Sequence, residues 1–294
     1  MGIHDAPYDV KISGHVAKPG RHREFVKCSG ELGEAFTPFL TDFLQASTRF
    51  LEPGSYQFCF MDWRHMGEML SASKAAGLEL KNLCIWNKGM EAMGSLYRSQ
   101  YELIFVFKEP GAPGINGVQL GKYSRNSTNF WDYPGAASLR KELELHPTPK
   151  SVSLVADAIR DVTRRNDIVL DAFSGSGTTI MAYAKVGRRA YAVELDPHYV
   201  DVGVRRWQEW SGCEAKNAQT GLTFAQMEEA RRASPEGPLL GNPPIEDPLT
   251  RDRRAKGPDP QDTAEPLVVR HRVRRAACEG LGYGTPDKRN PSRL

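Results

Sequence analysis

The stretch that most constrains what this chain can fold into runs from Ile168 to Asp196. Ile168-Val169-Leu170 is a short apolar run. It opens into Asp171-Ala172-Phe173-Ser174-Gly175-Ser176-Gly177-Thr178-Thr179, and Ile180 to Val186 then reads as a helix. A buried strand, a glycine-rich turn and a helix, in that order, is how a parallel sheet presents a ligand to a helix N-terminus, the glycines letting the backbone approach it closely. A second apolar strand, Arg189 to Val193, ends at Glu194. A carboxylate at that position, about 20 residues after the turn, can accept both hydroxyls of a ribose. The unit therefore predicts a doubly wound α/β sheet holding an adenosine-containing cofactor. A dinucleotide site would want a third glycine in the pattern G-x-G-x-x-G. Thr178, Thr179 and Ile180 follow Gly177 instead, which sets that class aside.

At 294 residues the chain can bury a sizeable core as one large domain or two small ones. The formal net charge of +3 is only weakly basic and unevenly spread: residues 251–294 hold 11 Lys and Arg against 6 Asp and Glu. A nucleic-acid surface would then be a local patch on a nearly neutral domain. The apolar runs, such as Leu103 to Phe107, are far too short for a membrane span, and nothing resembles a signal peptide. Five scattered cysteines without a C-x-x-C pair read as reduced thiols in a cytoplasmic protein, with no metal site expected.

Near the N-terminus stands Asp5-Ala6-Pro7-Tyr8. Together with D-x-F-x-G-S-G-T-T from Asp171, the upstream His146-Pro147-Thr148-Pro149-Lys150 and the downstream Glu194-Leu195-Asp196-Pro197-x-Tyr199, it resembles the amino-group DNA methyltransferases. In that family a D-P-P-Y tetrapeptide is catalytic; here alanine replaces the first proline. The chemistry explains the residue types. An exocyclic amine conjugated into a base ring is a poor nucleophile, because its lone pair is delocalised. A side-chain oxygen of the first residue and the backbone carbonyl of the second can accept its two N–H bonds, turning the lone pair toward a methyl donor. An aromatic fourth residue can stack on a base flipped out of the duplex. The resemblance thus implies Asp5 and the Ala6 carbonyl as amine acceptors, Pro7 as the rigid turn and Tyr8 as the stacking platform. Alanine keeps the carbonyl but loses the restraint that a following proline places on Asp5.

For the cofactor, the resemblance implies S-adenosyl-L-methionine held by Asp171, Phe173, Gly175, Ser176, Gly177, Thr178, Glu194, Leu195 and Asp196. Thr148 and Lys150 would lie near its carboxylate, Lys150 as the charge partner. The catalytic motif precedes the cofactor motif, as in the circularly permuted β class of the family. The wording from Asp62-Trp63-Arg64-His65 through Tyr133-Pro134-Gly135 resembles enzymes fused to a ParB-like nuclease domain. The fold implied by the resemblance is a seven-stranded mixed Rossmann-like sheet with helices on both faces. The implied activity is a site-specific DNA methyltransferase transferring methyl to adenine N6 in double-stranded DNA. Cytosine N4 stays open as the target, because both amines present the same two hydrogens. A truncated relic that binds cofactor or DNA without turnover is a further alternative, as is an RNA, protein or small-molecule acceptor. A homodimer and a separate ParB-like or nuclease partner are the associations to consider.

The rest of the chain fits around these motifs. Helical spacing of Phe36, Phe39, Leu40, Phe43 and Leu44 predicts an amphipathic helix within residues 31–50. A strand over 55–61, a helix over 63–76, and a strand pair over 80–88 and 101–108 follow, with Tyr97 or Trp86 as the opposite wall of a base pocket. Residues 109–145 read as a loop-like target-recognition segment. Helices are expected over 152–162, 199–210 and 223–232. The methyltransferase domain is assigned to residues 1–230. Residues 231–294 carry 10 of the 20 prolines and read as a disordered tail, in which Asn242-Pro243-Pro244-Ile245 mimics a catalytic motif but lacks its aromatic residue. One tension is local: four residues, one a glycine, precede Asp5, so a central strand there is expected to be weak.

Overall fold

The computed structural model describes residues 1–11, 28–91, 96–118, 120–121, 124–125, 127–135 and 149–233. The strands are β1 (Gly2–His4), β2 (Tyr56–Met61), β3 (Glu79–Asn87), β4 (Tyr101–Lys108), β5 (Leu120–Gly121), β6 (Ser124–Arg125), β7 (Phe130–Asp132), β8 (Ile168–Asp171) and β9 (Arg189–Ala192). The helices are α1 (Phe36–Thr48), α2 (Met66–Ala75), α3 (Val152–Val162), α4 (Thr178–Val186), α5 (Pro197–Ser211) and α6 (Phe224–Ala233). Among the described residues, seven strands form one sheet in the order β7-β3-β4-β2-β1-β8-β9, and β5 and β6 form a separate hairpin. Only β4 runs against its neighbours β2 and β3. The parallel and mixed strands expected from the motifs are therefore present as a Rossmann-like doubly wound sheet.

The apolar strands read as continuous runs because both sheet faces are covered. Side chains alternate between the two cores. Phe58 and Phe60 of β2 and Ile104 and Val106 of β4 pack with Leu154, Ile159, Tyr183 and Trp207 from α3, α4 and α5. Cys59 and Met61 of β2 and Leu103, Phe105 and Phe107 of β4 pack with Phe36, Leu40, Leu44 and Met69 from α1 and α2. The crossover through α1 thus lies on one face and that through α4 on the other. Between the two lie β1 and β8, adjacent parallel strands whose connections leave in opposite directions. That is the switch point at which such sheets open a crevice beyond the strand carboxyl ends.

The three-residue β1 is short, yet it occupies this central position. It pairs with β2 through Gly2–Gln57, Ile3–Phe58 and His4–Cys59, and with β8 through Gly2–Leu170. The glycine that counted against a strand has a use: a Cβ at Gly2 would lie 2.5 Å from Nε2 of His4, so its absence makes room for that ring. His4 is fully buried and bridges the two motif-bearing strands. Its Nδ1 accepts from the Ala172 N–H at 3.2 Å, and its Nε2 donates to Oε1 of Gln57 at 3.2 Å. Burial pushes its pKa down to about 4, so the neutral ring is the folded form.

The described residues within 109–145 differ from the loop-like expectation. They contain the β5–β6 hairpin and β7, which pairs in parallel with β3 from Ile85–Phe130 to Asn87–Asp132. Three residues of strand inside a polar stretch carry no readable period; pairing with β3 fixes them. The tail from residue 234, with its Asn242-Pro243-Pro244-Ile245, lies outside the described residues, as do residues 12–27. Among the described residues no helix is long and apolar enough to cross a membrane.

Candidate active site

The glycine turn begins where β8 ends. Asp171 is buried and its Oδ1 accepts from the Phe173 N–H at 3.0 Å. Gly175 and Gly177 have φ of +49° and +82°, the left-handed region that disfavours a side chain. The packing demands glycine as well: a Cβ on Gly177 would stand 3.0 Å from the Cα of Gly203 on α5. The third glycine missing from the linear motif is thus supplied in space by α5. Ser176 is buried, and Nη1 of Arg206 on the same helix donates to its carbonyl at 2.6 Å and its hydroxyl at 2.7 Å. Arg206 was not singled out from sequence. Its signal was an arginine seven positions after Tyr199, on the stripe that also holds Val202 and Gly203, all buried.

Glu194 follows β9 and reaches back to the turn. Its Oε2 accepts from the Gly175 N–H at 2.7 Å and its Oε1 from the Asp196 N–H at 2.8 Å. Each oxygen keeps a further lone pair. Asp196 caps α5 by accepting from the His198 N–H at 2.9 Å, and Leu195 is exposed. A cleft between the turn and α5 is lined by Ser174, Gly175, Ala192, Glu194, Tyr199 and Val200. The cleft is small, and the groups beside it that suit a nucleoside cofactor are the Glu194 carboxylate, which can accept from hydroxyls, and the glycine backbone, which allows close approach.

Burial raises the Asp171 carboxyl to about 7, against the pull of the Thr179 hydroxyl and the Phe173 N–H, with Asp5 and Glu194 adding to the rise. A carboxylate whose folded pKa lies above its unfolded value destabilises the fold progressively as pH rises from about 4 to about 7. The Asp171→Asn variant, which mimics the neutral form, is expected to match wild type near pH 4. It should be more stable by up to about 4 kcal/mol near pH 8, as measured by urea unfolding at both pH values. His4 works in the opposite sense, its contribution being complete above pH 6.5 and lost as pH falls toward 4. Its effect is common to both proteins and cancels in the difference.

The Asp5-Ala6-Pro7-Tyr8 motif lies beside this turn. Ala6 is buried, and Asp5, Pro7 and Tyr8 are partly exposed. The Tyr8 hydroxyl donates to Oδ1 of Asp5 at 3.1 Å and to Oε2 of Glu102 at 3.3 Å. Lys150 is buried, with Nζ 2.8 Å from Oδ2 of Asp5 and 3.3 Å from Oε2 of Glu102. Lys88 approaches Oε1 of Glu102 at 3.3 Å, so two ammonium groups face two carboxylates. Burial opposes the charge on Lys150, but Asp5 and Glu102 outweigh it and raise its pKa. Burial would likewise raise Glu102, yet Lys150 and Lys88 hold it below the usual carboxylate range. For Asp5, burial prevails over the attraction of Lys150 and keeps it above that range.

The sequence-derived residues thus fall into two groups. Asp171, Phe173, Gly175, Ser176, Gly177, Thr178, Glu194, Leu195 and Asp196 surround the turn, whereas Lys150 sits with Asp5 and Tyr8. Thr148 lies outside the described residues. Glu102 had no role assigned from sequence. Trp86 is a core residue, its Nε1 donating to the Tyr133 carbonyl at 2.9 Å, while Tyr97 is exposed. Among the described residues no group of three or more His, Cys, Asp or Glu side chains could hold a metal ion.

A seven-stranded mixed sheet covered on both faces, with a glycine turn at the end of β8 beside the turn after β1, is that of a methyltransferase-type α/β protein. The chain belongs to the DNA methylase family, which it matches over residues 2–205. It is similar to the DNA adenine methyltransferase YhdJ of Escherichia coli, 38% identical over 108 residues, 37% of this chain and 34% of that protein. It is also similar to the type II methyltransferase M2.MboI of Moraxella bovis, 32% identical over 144 residues, 46% of this chain and 52% of that protein. The chain spans between a third and about half of the length of these two relatives. Among solved structures, the cytosine-N4-specific PvuII DNA methyltransferase superposes with a TM-score of 0.56 at 14% identity, over 81% of this chain and 86% of that one. That likeness is one of fold. The family's cofactor is S-adenosylmethionine.

Proposed function

We propose that this chain transfers the methyl group of S-adenosylmethionine to adenine N6 in double-stranded DNA, with the target base flipped into the crevice between β1 and β8. The observation that carries the reading is the adjacency of the two motifs. His4, which precedes Asp5, accepts a hydrogen bond from Ala172, which follows Asp171, so the catalytic and cofactor turns open side by side. Adenine is favoured over cytosine N4 by the likeness to the adenine enzyme of Escherichia coli over 108 residues. A homodimer and a separate ParB-like or nuclease partner remain compatible with this reading.

When bound, the cofactor supplies an electrophilic methyl group on a sulfonium. The Gly175–Gly177 turn would hold its methionine end, and Glu194 beside it would accept from its ribose hydroxyls. Asp5 and the Ala6 carbonyl accept the two hydrogens of the target amine, and Tyr8 stacks on the base. Held in this way, the amine lone pair would form the new N–C bond as the methyl–sulfur bond broke, the electron pair of that bond staying with the thioether. The methylated nitrogen then loses one proton to Asp5, whose carboxyl burial holds above the ordinary range. No covalent enzyme intermediate is required.

Competition assays test the acceptor class. Labelled methyl should go to duplex DNA and be chased by unlabelled duplex, with incorporation falling steeply between about 50 and 200 mM salt as phosphate contacts are screened. Preferential competition by RNA or by a protein fraction would contradict the DNA assignment.

A further inference from the structure

The ammonium of Lys150 is enclosed as few lysines are. Its Nζ lies 5.5 Å from the ring centre of Tyr8, 5.3 Å from that of Phe60 and 5.8 Å from that of Trp86. Asp5 and Glu102 close the cage with two carboxylates, and the Tyr8 hydroxyl stands 3.4 Å away. Three aromatic faces and two anions make a cation site, and the chain fills it with its own side chain. Lys150 reaches the cage from the segment just before α3, Glu102 from β4, and Asp5 from the turn after β1.

We propose that Lys150, fixed by Glu102 and the aromatic cage, is the positioning residue for Asp5, anchoring Oδ2 so that Oδ1 is left to receive the target amine, and that it does not serve as the charge partner of the cofactor's carboxylate. The proposal rests on the methylase reading for its consequence in catalysis. Oδ1 is the oxygen that the Tyr8 hydroxyl now contacts at 3.1 Å. A rotation of Tyr8 onto an incoming base would release that oxygen while Lys150 keeps the carboxylate in place. A lysine bound at one oxygen also favours the ionised form in a site where burial favours the protonated one.

The other charged and titratable groups that act on Asp5 are Tyr8 on its own turn, Glu102 on β4, Asp171 on β8 and Lys150 before α3; one step further out, Asp62 after β2 acts on Tyr8 and Lys88 after β3 on Glu102. Two variants in one cage should therefore move Asp5 in opposite directions. Lys150→Met removes the cation that favours its charge, and Glu102→Gln removes an anion that disfavours it.

The test is a carbon-detected NMR titration of the aspartate carboxyls, with the Asp5 signal assigned by its loss in Asp5→Asn. The Asp5 midpoint is expected to rise by about one unit or more in Lys150→Met and to fall in Glu102→Gln. In parallel, single-turnover methylation at pH 7 should drop at least about tenfold in Lys150→Met and recover as pH is raised. Its dissociation constant for S-adenosylmethionine should stay within about twofold of wild type. An unchanged Asp5 midpoint, or shifts of the same sign in both variants, overturns the proposal. So does a loss of cofactor affinity in Lys150→Met without a midpoint change, which would return Lys150 to the cofactor's carboxylate. If Lys150→Met does not fold, the Glu102→Gln arm decides alone: a fall supports the proposal and no fall overturns it. If wild type methylates no DNA while the midpoints shift in opposite directions, the methylase reading fails and the positioning role stands.

Discussion

Replacing Asp5 by alanine is expected to reduce single-turnover methyl transfer roughly 100-fold to 1,000-fold while leaving cofactor affinity within about twofold. The magnitude follows from removing one preorganised polar group that acts on the reacting atom. The separation of effects follows from geometry. Asp5 follows β1 beside the glycine turn, and its side-chain partners are Tyr8 and Lys150 rather than residues of the cofactor cleft. The substitution also leaves Lys150 and Glu102 as a buried pair with a second ammonium, Lys88, nearby, so the charge within the cage changes by one. A stability loss of about 1 to 3 kcal/mol is expected on that account. Unfolding curves collected beside the kinetics separate the two losses: a folded variant that binds cofactor but fails to transfer assigns Asp5 to the chemical step. A folded variant with transfer within about threefold of wild type would remove Asp5 from the mechanism.

Gly177→Ala should show the converse, a loss in binding and stability before any loss in chemistry. An alanine at φ +82° is strained by about 1 kcal/mol or more. Its Cβ would meet the Cα of Gly203 at 3.0 Å, and backbone, unlike a side-chain tip, cannot swing away. The turn or α5 must therefore shift by a few tenths of an ångström, carrying the Arg206 clamp on Ser176 with it. We expect a combined cost of about 2 to 3 kcal/mol, a fall in Tm of about 5 to 10 °C and at least a tenfold weaker Kd for S-adenosylmethionine. Gly212→Ala is the control. Gly212 ends α5 at φ +65° with nothing within 4 Å of an added Cβ, so it carries the backbone strain without the collision. Calorimetric titration of both variants should find weak binding only for Gly177→Ala.

Much of this architecture was legible from the residues. The apolar runs of β2, β4 and β8 had few alternatives, and the glycine turn located the end of β8 because its spacing is tied to what a ligand-facing backbone needs. The periodicity around Leu40 and Leu44 placed α1, and the helix expected over 152–162 is α3. What escaped was set by contacts distant in sequence. The β7 strand exists because β3 offers it a partner edge, and Gly203 and Arg206 meet the turn only once α5 packs against it. Lys150 is the instructive case. The resemblance placed it near the cofactor's carboxylate, and no pattern in the residues pointed to Asp5, 145 positions away in sequence, whose Oδ2 its ammonium meets at 2.8 Å. The short β1 teaches the opposite lesson, since pairing on both sides and the space left by Gly2 let three residues hold the centre of the sheet.

The most direct test of catalysis is to incubate the wild-type chain with mixed-sequence duplex DNA and S-adenosylmethionine carrying a labelled methyl group, then digest the DNA to nucleosides. Label is expected in N6-methyladenine, and none when Asp5→Ala replaces wild type. A wild-type chain that binds the cofactor yet leaves every nucleoside unlabelled would contradict the methylase assignment, keeping the fold and removing the catalysis.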